Sequence, residues 1–211
     1  MPSTEVFWSN MGAYNQATLP VQLAMMIMGA ALAYYVYTRG GFRANALMNA
    51  FFSFSFCWTG LVFFIIYSED ISRVFSLLFF AVGLLFALDI HEKKNRFTFP
   101  VSGWERYATF SWIILVILYP LVGTVLGHRY PGTCMPMAPC PLTVLAIALV
   151  SAAIPSINRK VLVALLPWGI LGLPKCLGAL DCYEDCILFA AGVYGLILIV
   201  KNWRAIGEGR G

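Results

Sequence analysis

Between Gly127 and Pro141 the chain reads GHRYPGTCMPMAPCP, a polar, proline-rich stretch between strongly apolar runs. It holds one of two histidines and two of six cysteines. His128 with Cys134 and Cys140 offers an imidazole and two thiols, donors suited to zinc, copper(I) or mercury(II). A second stretch, LPKCLGALDCYEDC over Leu173–Cys186, adds Cys176, Cys182 and Cys186 beside Asp181, Glu184 and Asp185.

Three chemistries are open to these groups. Cys134/Cys140 and Cys176/Cys182 are each spaced for local disulfide loops, and bridges between the two stretches are equally allowed. Such staples suit an oxidising compartment and leave one thiol over. A soft-metal or thiol-redox site is the second, with Cys134, Cys140, Cys182, Cys186 and His128 as candidate ligands. Cys182 and Cys186, four apart at a helix start, would share one face, and a helix N-terminus lowers a thiol pKa. No CxxC is present, and the spacings match no standard zinc pattern. The third rests on Glu184 and Asp185. At the edge of a helix they cap it and complement its dipole. If that helix begins nearer Leu180, they sink below the headgroups and become ligands for a cation or proton.

The elements that must position these groups are membrane spans. The chain has 211 residues, 60% hydrophobic and 11% charged, with a mean hydropathy of +0.78. Soluble domains carry about 25% charged residues, so this chain cannot coat a water-facing surface. The sequence predicts an all-α, polytopic membrane bundle over 1–211, as a single domain. A short interfacial helix is expected over Thr4–Thr18, where Phe7, Trp8, Met11 and Tyr14 recur at near-helical spacing. Seven spans follow: Pro20–Tyr37, Ala46–Tyr67, Val74–Ile90, Tyr107–Leu126, Leu142–Ile157, Val161–Leu173 and Tyr183–Val200. The fifth and sixth are short for a crossing of about 20 residues, which leaves a re-entrant pair open. Turns are expected through Arg39–Arg43 and Ser68–Arg73, and a longer charged loop over His91–Arg106.

With seven spans the Lys and Arg residues divide eleven to three between the two sides, only Arg73, Arg129 and Lys175 falling on the poorer one. That bias places the N-terminus outside and the C-terminus in the cytoplasm. It also accounts for the +4 net charge, so no nucleic-acid partner is expected. No cleavable signal peptide is expected either, since the N-terminus lacks a basic region and Glu5 and Asn10 interrupt any apolar one. Both stretches at which the chemistry collects then lie outside, and Cys57 is alone within the second span. Asp89 marks the inner end of the third span, and Asn49, Ser53 and Thr59 read as interhelical glue. Pro120, Pro167 and Pro174 bend the helices bordering the two stretches. No lysine in the seventh helix could hold retinal, two histidines are too few and misplaced for a haem in the bundle, and no cofactor is identified.

Several pieces together resemble a family of bacterial multi-span membrane proteins known as domain of unknown function 6064. They are YNQATLPVQL (Tyr14–Leu23), FCWTGLVFF around Trp58, YPLVGTVLGHRYP (Tyr119–Pro131), APCPLTV (Ala138–Val144), ALLPWGILG (Ala164–Gly172) and YEDCILFAAG (Tyr183–Gly192). They run in order across nearly the whole chain, and the Gly-His-x-Tyr-Pro and Pro-Cys-Pro pieces are the most specific. The resemblance implies a fold and a multi-pass place in the cell (inner) membrane, and no activity. It makes Asn15, Trp58, His128, Tyr130, Cys140, Glu184 and Asp185 family features and ligand-binding candidates. Cys134, Cys176, Cys182 and Cys186 look like additions of this member, so a Cys-rich metal site is not implied for the family.

Three functions remain, and an enzyme is not the first expectation. Binding or transport of a small cation or polar solute would use His128, Cys140 and the Glu184–Asp185 helix start. A structural or assembly subunit would dock on membrane-protein partners, or on further copies of itself, through an aromatic face such as Phe51, Phe52, Phe54 and Phe56. A thiol oxidoreductase or soft-metal protein would need two cysteines brought together. Binding or transport leads, because polar groups concentrate where the helices are interrupted.

Overall fold

The structure, a computed structural model, describes residues 3–68, 73–99 and 103–208. The expected turn through Glu69–Ser72 and the tail residue Arg210 lie outside the described residues. Regular structure is helical throughout, with no strand among the described residues. The helices are α1 (Thr4–Thr38), α2 (Gly41–Trp58), α3 (Phe75–Glu92), α4 (Trp104–Val125), α5 (Pro139–Ala152), α6 (Arg159–Ile170), α7 (Gly172–Cys176), α8 (Cys186–Lys201) and α9 (Ala205–Glu208). α2 runs on as a wider π-helical turn over Thr59–Tyr67, and single 3-10 turns cover Ala179–Asp181 and Tyr183–Asp185.

Among the described residues, five helical stretches are long and apolar enough to cross a membrane: Thr4–Thr38, Gly41–Tyr67, Phe75–Glu92, Trp104–Val125 and Tyr183–Lys201. Large apolar side chains stand exposed on them, among them Ile27, Leu77, Ile117 and Val125, as expected where lipid replaces water. α5 and α6, with 14 and 12 residues, fall short of that length. α5 nevertheless begins beside Asp185 and ends at a turn whose Asn158 reaches Asp89, so the pair connects both ends of the bundle. Nearly all of α5 is buried. A helix apolar on all sides needs neighbours all round, and α5 forms the centre.

Two expectations change. The interfacial helix and first span are one 35-residue helix, with Pro20 inside it. A proline there forfeits one backbone bond. A buried polar ladder on one face carries the helix past it: Thr18 Oγ1 donates to the Tyr14 carbonyl at 2.7 Å, and Gln22 Nε2 donates to Thr18 Oγ1 and Asn15 Oδ1 at 2.9 and 3.1 Å. The second change concerns the aromatic face of the second span. Phe51, Phe52 and Phe56 are buried, and only Phe54 is exposed. Phe52 and Phe56 stack with Phe86 at 4.9 and 5.8 Å, so this face packs α2 on α3 and is not free to dock a partner.

Asp89 also departs from the interface marker expected of it. It is fully buried and accepts from Asn49 Nδ2 (3.1 Å), the Asn95 backbone N–H (2.8 Å) and Asn158 Nδ2 (2.9 Å). Asn95 closes the network, donating to Asn49 Oδ1 and accepting from the Asn158 backbone N–H. A buried carboxylate with this many donors is satisfied without a counter-ion. This clasp ties α2, α3, the extended segment after α3 and the start of α6 into one end of the bundle.

Candidate functional site

At the other end, several pieces of chain converge. The helix start at Tyr183–Asp185 brings the two carboxylates, and neither side chain caps α8. Glu184 is 1% exposed and Asp185 0%. The cap reading therefore gives way to the buried one.

Asp185 is saturated with donors. Tyr119 Oη of α4 and Cys140 Sγ of α5 donate to its two oxygens, the thiol at 3.2 Å, and Lys175 Nζ of α7 lies 2.9 Å away. Lys175 also reaches Cys140 Sγ at 3.5 Å and stands 5.0 Å over the Trp168 ring. Burial alone would depress its ammonium, but the Asp185 carboxylate beside it holds it well above the usual lysine range. Lys175 was expected as a loop charge, and no sequence signal pairs it with Asp185. Proline and glycine around α7 fold it back over the cluster, and its side chain keeps only 15% exposure.

Glu184 is less well served. His128 Nδ1 lies 3.3 Å from Oε1, and Oε2 is buried with no hydrogen-bond partner. Trp8 fixes the imidazole, stacking on it at 3.7 Å while its own Nε1 donates to the Leu180 carbonyl at 2.8 Å. Gly123 of α4 passes close beneath; a Cβ there would stand 2.8 Å from Thr133 Oγ1 and 3.3 Å from Glu184 Oε1.

The cysteines sort differently from either local pairing. Cys176 and Cys186 form a disulfide, with Cα atoms 4.5 Å apart. Cys186 is thereby removed from the candidate ligands, and Cys182 does not share a helix face with it because Cys182 precedes α8 in non-helical backbone. Cys134, Cys140, Cys182 and Cys57 are free thiols. Cys134 and Cys182, from the two separate stretches, come together. Their sulfurs and a Glu184 oxygen lie within 4.8 Å of one another, all three residues buried. The Cys182 contact lowers the Cys134 pKa, yet burial with nearby Cys140, Asp185 and Glu184 outweighs it and pushes the thiol up to about 11. Cys182 is raised well above the usual thiol range, first by the Cys134 hydrogen bond and then by burial. Both are neutral thiols at pH 7.

The other expected residues stand apart from this cluster. Asn15 acts as a strut: its Nδ2 donates to the Pro131 and Thr133 carbonyls, both at 2.7 Å, holding the Cys134 loop against α1. Tyr130 is half-exposed, and Trp58 packs on Phe54 near the end of α2. Asp181 is exposed.

A family model described as a family of unknown function (DUF6064) matches residues 4–210. No curated protein and no solved structure matches the chain.

Proposed function

We propose that this chain, which belongs to the DUF6064 family, is a single-domain, multi-pass membrane protein that binds a small cation at the Cys134–Cys182–Glu184 cluster, with a thiophilic metal ion as the preferred occupant. One observation carries the reading: two thiols and a carboxylate converge in a buried place, and one oxygen of that carboxylate has no partner. An unpaired buried acceptor costs about 1–3 kcal/mol, and a cation would remove that cost. Zinc takes sulfur at about 2.3 Å and oxygen at about 2.0–2.2 Å, so its tetrahedral donors stand about 3.5–3.8 Å apart. A modest contraction of this cluster reaches that geometry. His128, 3.3 Å from Glu184 Oε1, orients the carboxylate as partners of metal-bound groups do.

The topology proposed with it has seven crossings, the N-terminus and this cluster outside and the C-terminus in the cytoplasm of a cell (inner) membrane. The Lys and Arg bias and the two-ended course of α5 and α6 support it.

The test is metal content and affinity of protein purified in neutral detergent, measured by elemental analysis and by competition with a chromogenic chelator for zinc. About one zinc per chain is expected, falling at least tenfold in affinity in Cys182→Ser and in Glu184→Gln, with Cys57→Ser unchanged. Equal affinity in all four proteins would sink the proposal. A second reading has its own observation, the contact between Cys134 and Cys182. If those two resist alkylation until reduced while zinc fails to bind, the pair is a redox dithiol.

A further inference from the structure

Two cavities open side by side at the clasp end of the bundle, and both are basic. One, of about 340 Å³, lies between the start of α2 and the end of α3; the other, of about 680 Å³, lies between the segment after α3, the α5–α6 turn and α9. Lys93 and Arg96 line both, and Lys160 lines the larger. Neighbouring cations are already engaged. Lys94 pairs with Glu92 at 2.7 Å, and Arg159 donates to the Trp203 carbonyl and lies over its ring. Lys93 lies 4.6 Å over the Phe42 ring, and Lys93, Arg96 and Lys160 form no ion pair among the described residues. Asp89, the carboxylate lining the smaller cavity, has its oxygens held by the asparagine clasp and makes no ion pair with them.

Like charges crowd only where something holds them, and here the backbone does. The Asn95 side chain and backbone are locked into the clasp, and the Arg96 N–H donates to the Ser156 carbonyl at 2.9 Å. The rim beside the smaller cavity is apolar, with Phe42, Leu47 and Leu88 exposed on α2 and α3. Basic hollows bordered by lipid-facing helices sit at the level of lipid phosphates.

We infer that these adjoining cavities bind the phosphate of an anionic phospholipid headgroup, held by Lys93 and Arg96 with Lys160 beside them, its chains lying along α2 and α3. The site depends on the chain lying in a bilayer and is independent of the metal cluster at the other end. Free inorganic phosphate shares the chemistry, and the experiment separates the two. Protein in neutral detergent is offered equal phosphatidylglycerol and phosphatidylcholine, and bound lipid is counted by native mass spectrometry. Retention of phosphatidylglycerol at least fivefold over phosphatidylcholine is expected. Lys93→Gln and Arg96→Gln should each weaken it about fivefold, while Arg204→Gln, outside both cavities, leaves it unchanged. Equal retention of the two lipids, or no loss in either variant, overturns the inference. So does stripping of the lipid by millimolar inorganic phosphate, which would assign the cavities to a soluble anion.

Discussion

Lys175 and Asp185 illustrate what a single buried pair demands. The ammonium is mostly enclosed and the carboxylate wholly so, so removing either alone strands the other in apolar surroundings. Lys175→Met should cost about 3–5 kcal/mol, read as a lower melting temperature of the detergent-purified protein. The double variant Lys175→Met/Asp185→Asn should recover much of that loss; a double variant no more stable than the single one would show that the pair is not the cause. The pH dependence has a definite sign. Because the folded-state pKa of Lys175 is raised, its contribution is full below the ordinary lysine value of about 10.4 and lost only as pH rises through the higher folded value. The gap in melting temperature between wild type and Lys175→Met should therefore stay constant from about pH 6 to about pH 9.

Helix packing sets where the carboxylates stand. α8 begins at the site and crosses α6 where Gly169 meets Gly192. A Cβ on Gly192 would come within 2.7 Å of the Gly169 carbonyl carbon and 2.9 Å of its Cα. Those atoms are backbone and cannot turn aside, so Gly192→Ala must push the helices apart. Small residues permit such close crossings in membrane bundles. The expected loss is about 1–3 kcal/mol, together with weaker zinc binding, because Glu184 and Asp185 lead directly into α8. A variant with unchanged melting and unchanged affinity would show that the crossing does not position the site.

Across the whole molecule, the bundle carries Lys93, Arg96 and Lys160 at one end and Cys134, Cys140 and Cys182 at the other. If α5 and α6 both cross, residues after α1 and before α6 lie on the same side of the bilayer. In a background lacking reactive thiols, Arg39→Cys and Lys160→Cys should react with a membrane-impermeant maleimide from one side, and Arg129→Cys from the other. All three positions are exposed in the structure. Labelling of Lys160→Cys from the Arg129 side would make α5 and α6 a re-entrant pair and reduce the crossings to five.

Composition and run length were enough to read an all-helical chain with apolar helices of membrane length, because both are properties of consecutive residues. The motif pieces likewise indicated the family, and the crowding of Cys, His and acid into two stretches indicated which stretches to watch. Which residues would meet was not legible. Cys134 pairs with Cys182, 48 positions away, and Lys175 with Asp185, because α7 folds back over the start of α8. Spacing along the chain left local pairs and bridges between the two stretches equally open, and only the packed helices chose Cys176–Cys186. Pro20 shows the same limit: its local rule ends a helix, and the Tyr14–Gln22 ladder, with Asn15 clamped to the Cys134 loop, overrides it. The sequence by itself determined that the chain is helical with apolar stretches of membrane length, and which reactive side chains it carries. Tertiary structure alone decided the partners, since a contact between distant residues is set by how whole helices cross.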